Sequence, residues 1–246
     1  MLGVLAFGDS ITHGGGELQW GVALQSWALW VARALGVPYS AYAVDGANVA
    51  GVLEEQIPAF RREAVSPGGP YDVGCLYIGT NDVRGFDWDP ASYEEGLRAA
   101  LRFLAPRCGR VVTATIPLDL GRPPAGAKVH VANAIVERAA RDTGALVVDL
   151  RGFRGRRVLM ADHVHPTAFG QIAIAERALA LLAADGLAPR VAPSELIAYE
   201  TTRSKRLRGD LTYAYRHAKV SSRAAGLMLS LRLGRRLPRA APGAGD

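Results

Sequence analysis

Three side chains able to run nucleophilic catalysis together come from two distant stretches of this 246-residue chain: Ser10 from one, Asp162 and His165 from the other. Ser10 sits in Gly8-Asp9-Ser10-Ile11-Thr12-His13-Gly14, directly after the apolar run Leu2–Phe7. A serine hydroxyl is a weak nucleophile at neutral pH and needs a base, which in turn needs a group to orient it. Asp162-His163-Val164-His165-Pro166 supplies such a pair. Two further polar clusters, Asp45-Gly46-Ala47-Asn48 and Gly79-Thr80-Asn81-Asp82, likewise follow apolar runs. Each cluster also has an ordinary reading. Ser10 and Asp162 can cap the segments after them, Asn81 can be a turn residue, and His165 can be a solvated loop histidine. It is their joint occurrence, each after an apolar strand-like run, that points to a site.

The elements that must position these groups alternate along the sequence. Strand-like runs fall at Leu2–Phe7, Val37–Val44, Tyr71–Ile78, Arg110–Ile116 and Ala145–Leu150. Helical patterns lie between them, over Val22–Leu35, Val49–Glu63 (with Pro58 as a kink or boundary), Ser92–Pro106 and Ala127–Thr143. Another opens at Pro166 and Thr167 and runs to Asp185, and Ser66–Pro70 is a turn signal. Such alternation implies right-handed crossovers and a parallel sheet covered on both faces, an α/β class. All four polar clusters then share the carboxyl rim of the sheet, where open α/β folds assemble their sites. With strand order 2-1-3-4-5, His165 must cross about three strand spacings, roughly 14 Å, to reach Ser10. The twelve residues Arg151–Asp162 can extend to about 40 Å, so the meeting is permitted.

The block Gly8–Gly14 resembles the first block of the GDSL/SGNH hydrolases. Gly79–Asp82 is similar to their asparagine block, Asp162–Pro166 to their closing D-x-x-H-P, and Gly46 falls where their glycine block lies. The sequence departs at Val44, where that block would carry an asparagine. The resemblance implies a three-layer α/β/α, flavodoxin-like five-stranded parallel sheet and a serine esterase. It assigns Ser10 as nucleophile, His165 as base and Asp162 as its orienting partner, with an oxyanion hole from the Ser10 and Gly46 N–H groups and the Asn81 amide. A side chain at Gly46 would crowd that oxyanion. Acyl transfer to an acceptor other than water, or a silent binding module on the same scaffold, would use the same residues. Neither G-x-S-x-G in the middle of the sequence nor a phosphate-binding G-x-x-x-x-G-K is present, which disfavours an α/β-hydrolase of the usual order and a nucleotide binder. No cofactor and no metal are expected, since His13, His130, His163 and His217 form no ligand pattern.

Asp9 reads as a partner for loop amides and is grouped with Trp20 and Trp88 as substrate-binding. Trp20, Phe86 and Trp88 lie in loops flanking the site and are expected to wall an acyl or sugar pocket for a small ester, or else merely to pack the loops. Cys75 and Cys108 fit neither a zinc site nor a disulfide framework. With no signal peptide and no spanning segment in view, a cytoplasmic protein is expected. The net charge of +6 is uneven: from Glu200 onward 11 Lys/Arg face three acids, giving +8 there and −2 over residues 1–199. A global nucleic-acid role is therefore not expected. The catalytic domain is expected to cover 1–190, and 191–246 to form a basic, partly helical extension. Ser194–Lys205 is expected to be a helix on the domain, and Val220–Leu231 an amphipathic helix for the parent domain, a second subunit or an anionic membrane surface. Pro238–Asp246 is expected to be disordered.

Overall fold

The computed structural model describes residues 3–63, 70–199 and 201–234. The turn signal at 66–69 and the segment 238–246 lie outside these residues. Five strands, β1 (Val4–Gly8), β2 (Tyr39–Ala41), β3 (Tyr71–Tyr77), β4 (Cys108–Ala114) and β5 (Leu146–Val148), form one sheet in the order β2-β1-β3-β4-β5. Every pairing is parallel. The two-residue alternation of strand side chains splits β1 between two cores. Val4 and Ala6 join one apolar cluster, while Leu5 and Phe7 join the other. Because both faces are covered, the strand reads as a continuous apolar run. Leu5 is fully buried, and its truncation to alanine would cost about 2–5 kcal/mol.

The first core is closed by α2 (Trp27–Leu35) and α8 (Ala168–Ala184), and the second by α3 (Val49–Gly51), α4 (Ile57–Glu63), α6 (Pro90–Leu104) and α7 (Lys128–Thr143). Two short helices, α1 (Ser10–His13) and α5 (Thr80–Arg84), sit at strand exits. The result is the expected three-layer α/β/α arrangement. Helix α2 starts five residues later than the apolar pattern proposes. The Ser26 hydroxyl caps it by accepting the N–H groups of Ala28 and Leu29, and Gln19 and Val22 are drawn into a bridge of their own. The expected break near Pro58 takes the form of a π-helical turn, Val52–Gln56, inserted before α4. The Ile57 N–H reaches back to the Val52 carbonyl across it. Cys75 and Cys108 are buried and free.

The tail differs most from expectation. Pro193–Leu196 is a single 3₁₀ turn, and one continuous helix, α9 (Arg203–Gly234), replaces the shorter amphipathic one. It packs on the domain through an Arg216–Glu17 pair, an Asp210–Arg156 pair and a ring contact of His217 with His163. Among the described residues no helix is long and apolar enough to cross a membrane.

Candidate active site

Ser10 begins α1, and Asp9 caps it: its carboxyl Oδ1 accepts the Ile11 N–H at 2.9 Å. The strand can turn this sharply because Gly8 has φ +145, and a side chain there would strike the Tyr77 carbonyl at 2.3 Å. The turn presents the Ser10 hydroxyl 3.0 Å from Nε2 of His165. On the other side of the ring, Nδ1 lies 2.7 Å from Oδ2 of Asp162. With the Nδ1 proton donated to that carboxylate, Nε2 is the tautomeric nitrogen left to accept from serine. Oδ1 of Asp162 accepts the Val164 and His165 backbone N–H groups at 2.9 and 3.1 Å. The loop therefore folds about the same carboxylate that orients the imidazole.

This network sets the charges. The hydrogen bond that His165 donates to Asp162 raises the His165 pKa above its usual 6.5, against an opposing contribution from burial. Burial pushes the Asp162 carboxyl upward, but the ring and the two N–H donors outweigh it and hold it below the ordinary range. Gly15 carries the backbone over the pair. A Cβ there would lie 3.2 Å from Cβ of Ser10 and 3.4 Å from Cδ2 of His165.

The oxyanion candidates are tied together. Asn81 donates from Nδ2 to the Ala47 carbonyl at 2.9 Å, leaving its second amide hydrogen. The Gly46 loop is anchored where the Val44 N–H meets the Gly8 carbonyl at 3.1 Å. Gly46 has φ +77, and a Cβ there would meet nothing within 4 Å, so the backbone conformation is the requirement the fold itself places on glycine.

Asp9 leaves the substrate-binding set. Its side chain is fully buried, and it acts as the cap of α1, in keeping with its reading as a partner for loop amides. Desolvation raises its carboxyl to about 7, and Oδ2 has no hydrogen-bond partner. Trp20 also lies elsewhere. It packs edge-on against Phe169 and under Arg206 of α9, in a groove separate from the one at Asn81. Trp88 and the exposed Phe86 do line a cavity of about 610 Å³ that reaches Asn81 and Asn48. Its lining carries the carboxylates of Glu54, Asp82, Asp87, Asp89 and Glu95 and, among the described residues, no lysine or arginine.

Two buried glutamines escaped sequence reasoning. Gln56 brackets Gly8, and Gln171 donates to the carbonyls of Ile11 and Gly15 while accepting the Trp27 N–H. For Gln171 the available signal was a lone amide inside the apolar helical stretch 168–175, which must find partners if buried.

A family model described as GDSL-like Lipase/Acylhydrolase matches residues 6–172. No curated protein matches the chain. Among solved structures, a member of the lipolytic G-D-S-L family from Veillonella parvula is similar at 26% identity and TM-score 0.58, over 73% of this chain and 97% of that one. An alpha/beta hydrolase enzyme from the metagenome of Lake Arreo matches at 24% identity and TM-score 0.55, over 75% and 94%. The acetylxylan esterase of Geobacillus stearothermophilus matches at 22% and 0.54, over 73% and 93%; at that identity the likeness is one of fold.

Proposed function

The chain belongs to the GDSL-like lipase/acylhydrolase family, and from that premise we propose that it hydrolyses carboxylic esters through an acyl-enzyme on Ser10. The observation that carries this reading is the 3.0 Å Ser10–His165 contact continued by the 2.7 Å His165–Asp162 contact. His165 takes the hydroxyl proton as Ser10 attacks the ester carbonyl, and Asp162 stabilises the imidazolium that forms. The negative charge on the carbonyl oxygen is met by the N–H groups of Ser10 and Gly46 and the Asn81 amide. Collapse of the tetrahedral intermediate expels the alcohol, which takes its proton from His165. Water, deprotonated by the same imidazole, then attacks the acyl-enzyme, releasing the acid and freeing Ser10.

The substrate reading rests on the cavity beside Asn81. Its aromatic side chains offer flat apolar faces, its carboxylates accept hydrogen bonds from hydroxyl groups, and the same carboxylates disfavour anionic groups. These features support a small acyl group on a neutral, hydroxyl-bearing alcohol such as a sugar. The test is p-nitrophenyl acetate turnover followed by a panel of acetylated sugars. The expected result is hydrolysis that Ser10→Ala abolishes without unfolding. Equal inertness of both proteins across the panel would overturn the reading.

A further inference from the structure

Helix α9 has two faces with different fates. Asp210, Tyr213, His217, Val220 and Ala224, spaced by three and four residues, are half-buried toward the domain. The opposite side carries Leu207, Leu211, Tyr215 and Leu229, each between 59% and 67% exposed. Ala218 and Ala225 continue that stripe, so the spacing runs four, four, three, seven and four, one line along a helix. Lys205, Arg208, Lys219 and Arg223 are exposed along one flank of it, and none makes an ion pair among the described residues. The one acid of the helix, Asp210, faces inward and pairs with Arg156. The sequence beyond residue 234 adds Arg235, Arg236 and Arg239.

We propose that this outward face of α9 docks the protein on an anionic lipid bilayer, with the Leu/Tyr stripe entering the headgroup boundary and the flanking cations meeting lipid phosphates. The charge pattern selects this occupant. A second copy would set one cationic flank against another with no outward acid to balance them. A nucleic acid would satisfy the cations and leave three leucines and a tyrosine against phosphate. A bilayer answers both parts at once, since long basic side chains keep their charges at the headgroups while apolar neighbours enter the acyl region. The inward contacts to Glu17, Arg156 and His163 place the docked helix against the loops that carry the site.

The test is flotation of the full-length protein with phosphatidylcholine vesicles, with and without phosphatidylglycerol. The wild type is expected to float with the anionic vesicles, to stay unbound with the neutral ones, and to be released by raised salt. Replacing all four flanking cations by glutamine lowers the partition coefficient on the order of 1,000-fold. A Leu207→Ser, Leu211→Ser, Tyr215→Ser triple variant also detaches the protein. Both variants keep the wild-type melting temperature and p-nitrophenyl acetate turnover, because every substituted side chain is exposed and none belongs to the Ser10–His165–Asp162 site. Failure to float with anionic vesicles, equal binding to neutral ones, or dissociation of a dimer by the triple variant without any lipid effect would overturn the proposal. So would tighter binding to RNA than to the anionic vesicles.

Discussion

Gln56 closes both backbone groups of Gly8: its Oε1 accepts the Gly8 N–H at 2.9 Å and its Nε2 donates to the Gly8 carbonyl at 2.8 Å. A side chain on a π-helical turn thereby completes the last residue of β1, two positions ahead of Ser10. Gln56→Leu keeps the volume roughly constant, leaves the Gly8 N–H buried without its partner and leaves the Gly8 carbonyl only the Val44 N–H, at a cost of about 2 kcal/mol. The expected outcome is a melting temperature lower by roughly 4–8 °C, with esterase activity reduced because the Ser10 turn is no longer braced. An unchanged melting temperature would show that Gln56 is not holding the strand end.

The Asp162 carboxylate is the main reason the His165 pKa lies above 6.5. The free-base imidazole is the active form, so kcat/KM should rise with pH through a midpoint above that value and then level off. Asp162→Asn removes the hydrogen bond that favours the charged ring, so the midpoint should move down. The same change favours the wrong tautomer and should lower kcat on the order of 10³–10⁴-fold. A pH–rate profile of both proteins decides the matter. A midpoint that stays in place would remove Asp162 from this role.

Asp9 gives a stability prediction of definite sign. Burial raises its carboxyl from 3.8 to about 7 in the folded protein. Folding therefore favours the protonated form. The contribution is fully present below pH 3.8, declines as the pH rises, and is lost above about 7. Asp9→Asn cannot ionise, and its Oδ1 can still accept the Ile11 N–H. The melting temperature of the variant relative to wild type should therefore climb between pH 4 and pH 8. A constant difference across that range would contradict the buried, uncharged carboxyl.

Asn81 is the side-chain member of the proposed oxyanion hole and also holds the Ala47 carbonyl at 2.9 Å. Asn81→Ala should lower kcat about 10²–10³-fold with a smaller change in KM, the signature of a contact that strengthens in the transition state. A loss confined to KM would place Asn81 in ground-state binding instead.

The sheet was legible because the runs at β1 and β3 are apolar and end in glycine and small polar residues, and because parallel strands put all their exits on one rim. The meeting of Ser10 with His165 followed from that rim and from a loop long enough to cross it. What escaped was whatever depends on contacts between distant elements. Nothing local distinguishes a buried capping carboxyl at Asp9 from one open to substrate. Nor does Trp20 differ locally from Trp88, although one packs under α9 and the other lines the cavity. The true start of α2 was hidden because Val22 and Leu24 continue an apolar pattern that their loop uses for packing. The single long α9 was hidden because its polar composition blurs the amphipathic period over its first half.

The account turns on Ser10 as a nucleophile activated by His165, and covalent trapping reads this directly. Treatment with an organophosphonate ester followed by intact-protein and peptide mass spectrometry should give one adduct per protein molecule, on the peptide carrying Ser10. Labelling should be strongly slowed by His165→Ala and absent in Ser10→Ala. A wild-type protein that hydrolyses esters yet carries no adduct on Ser10, or that labels equally well without His165, would contradict the mechanism.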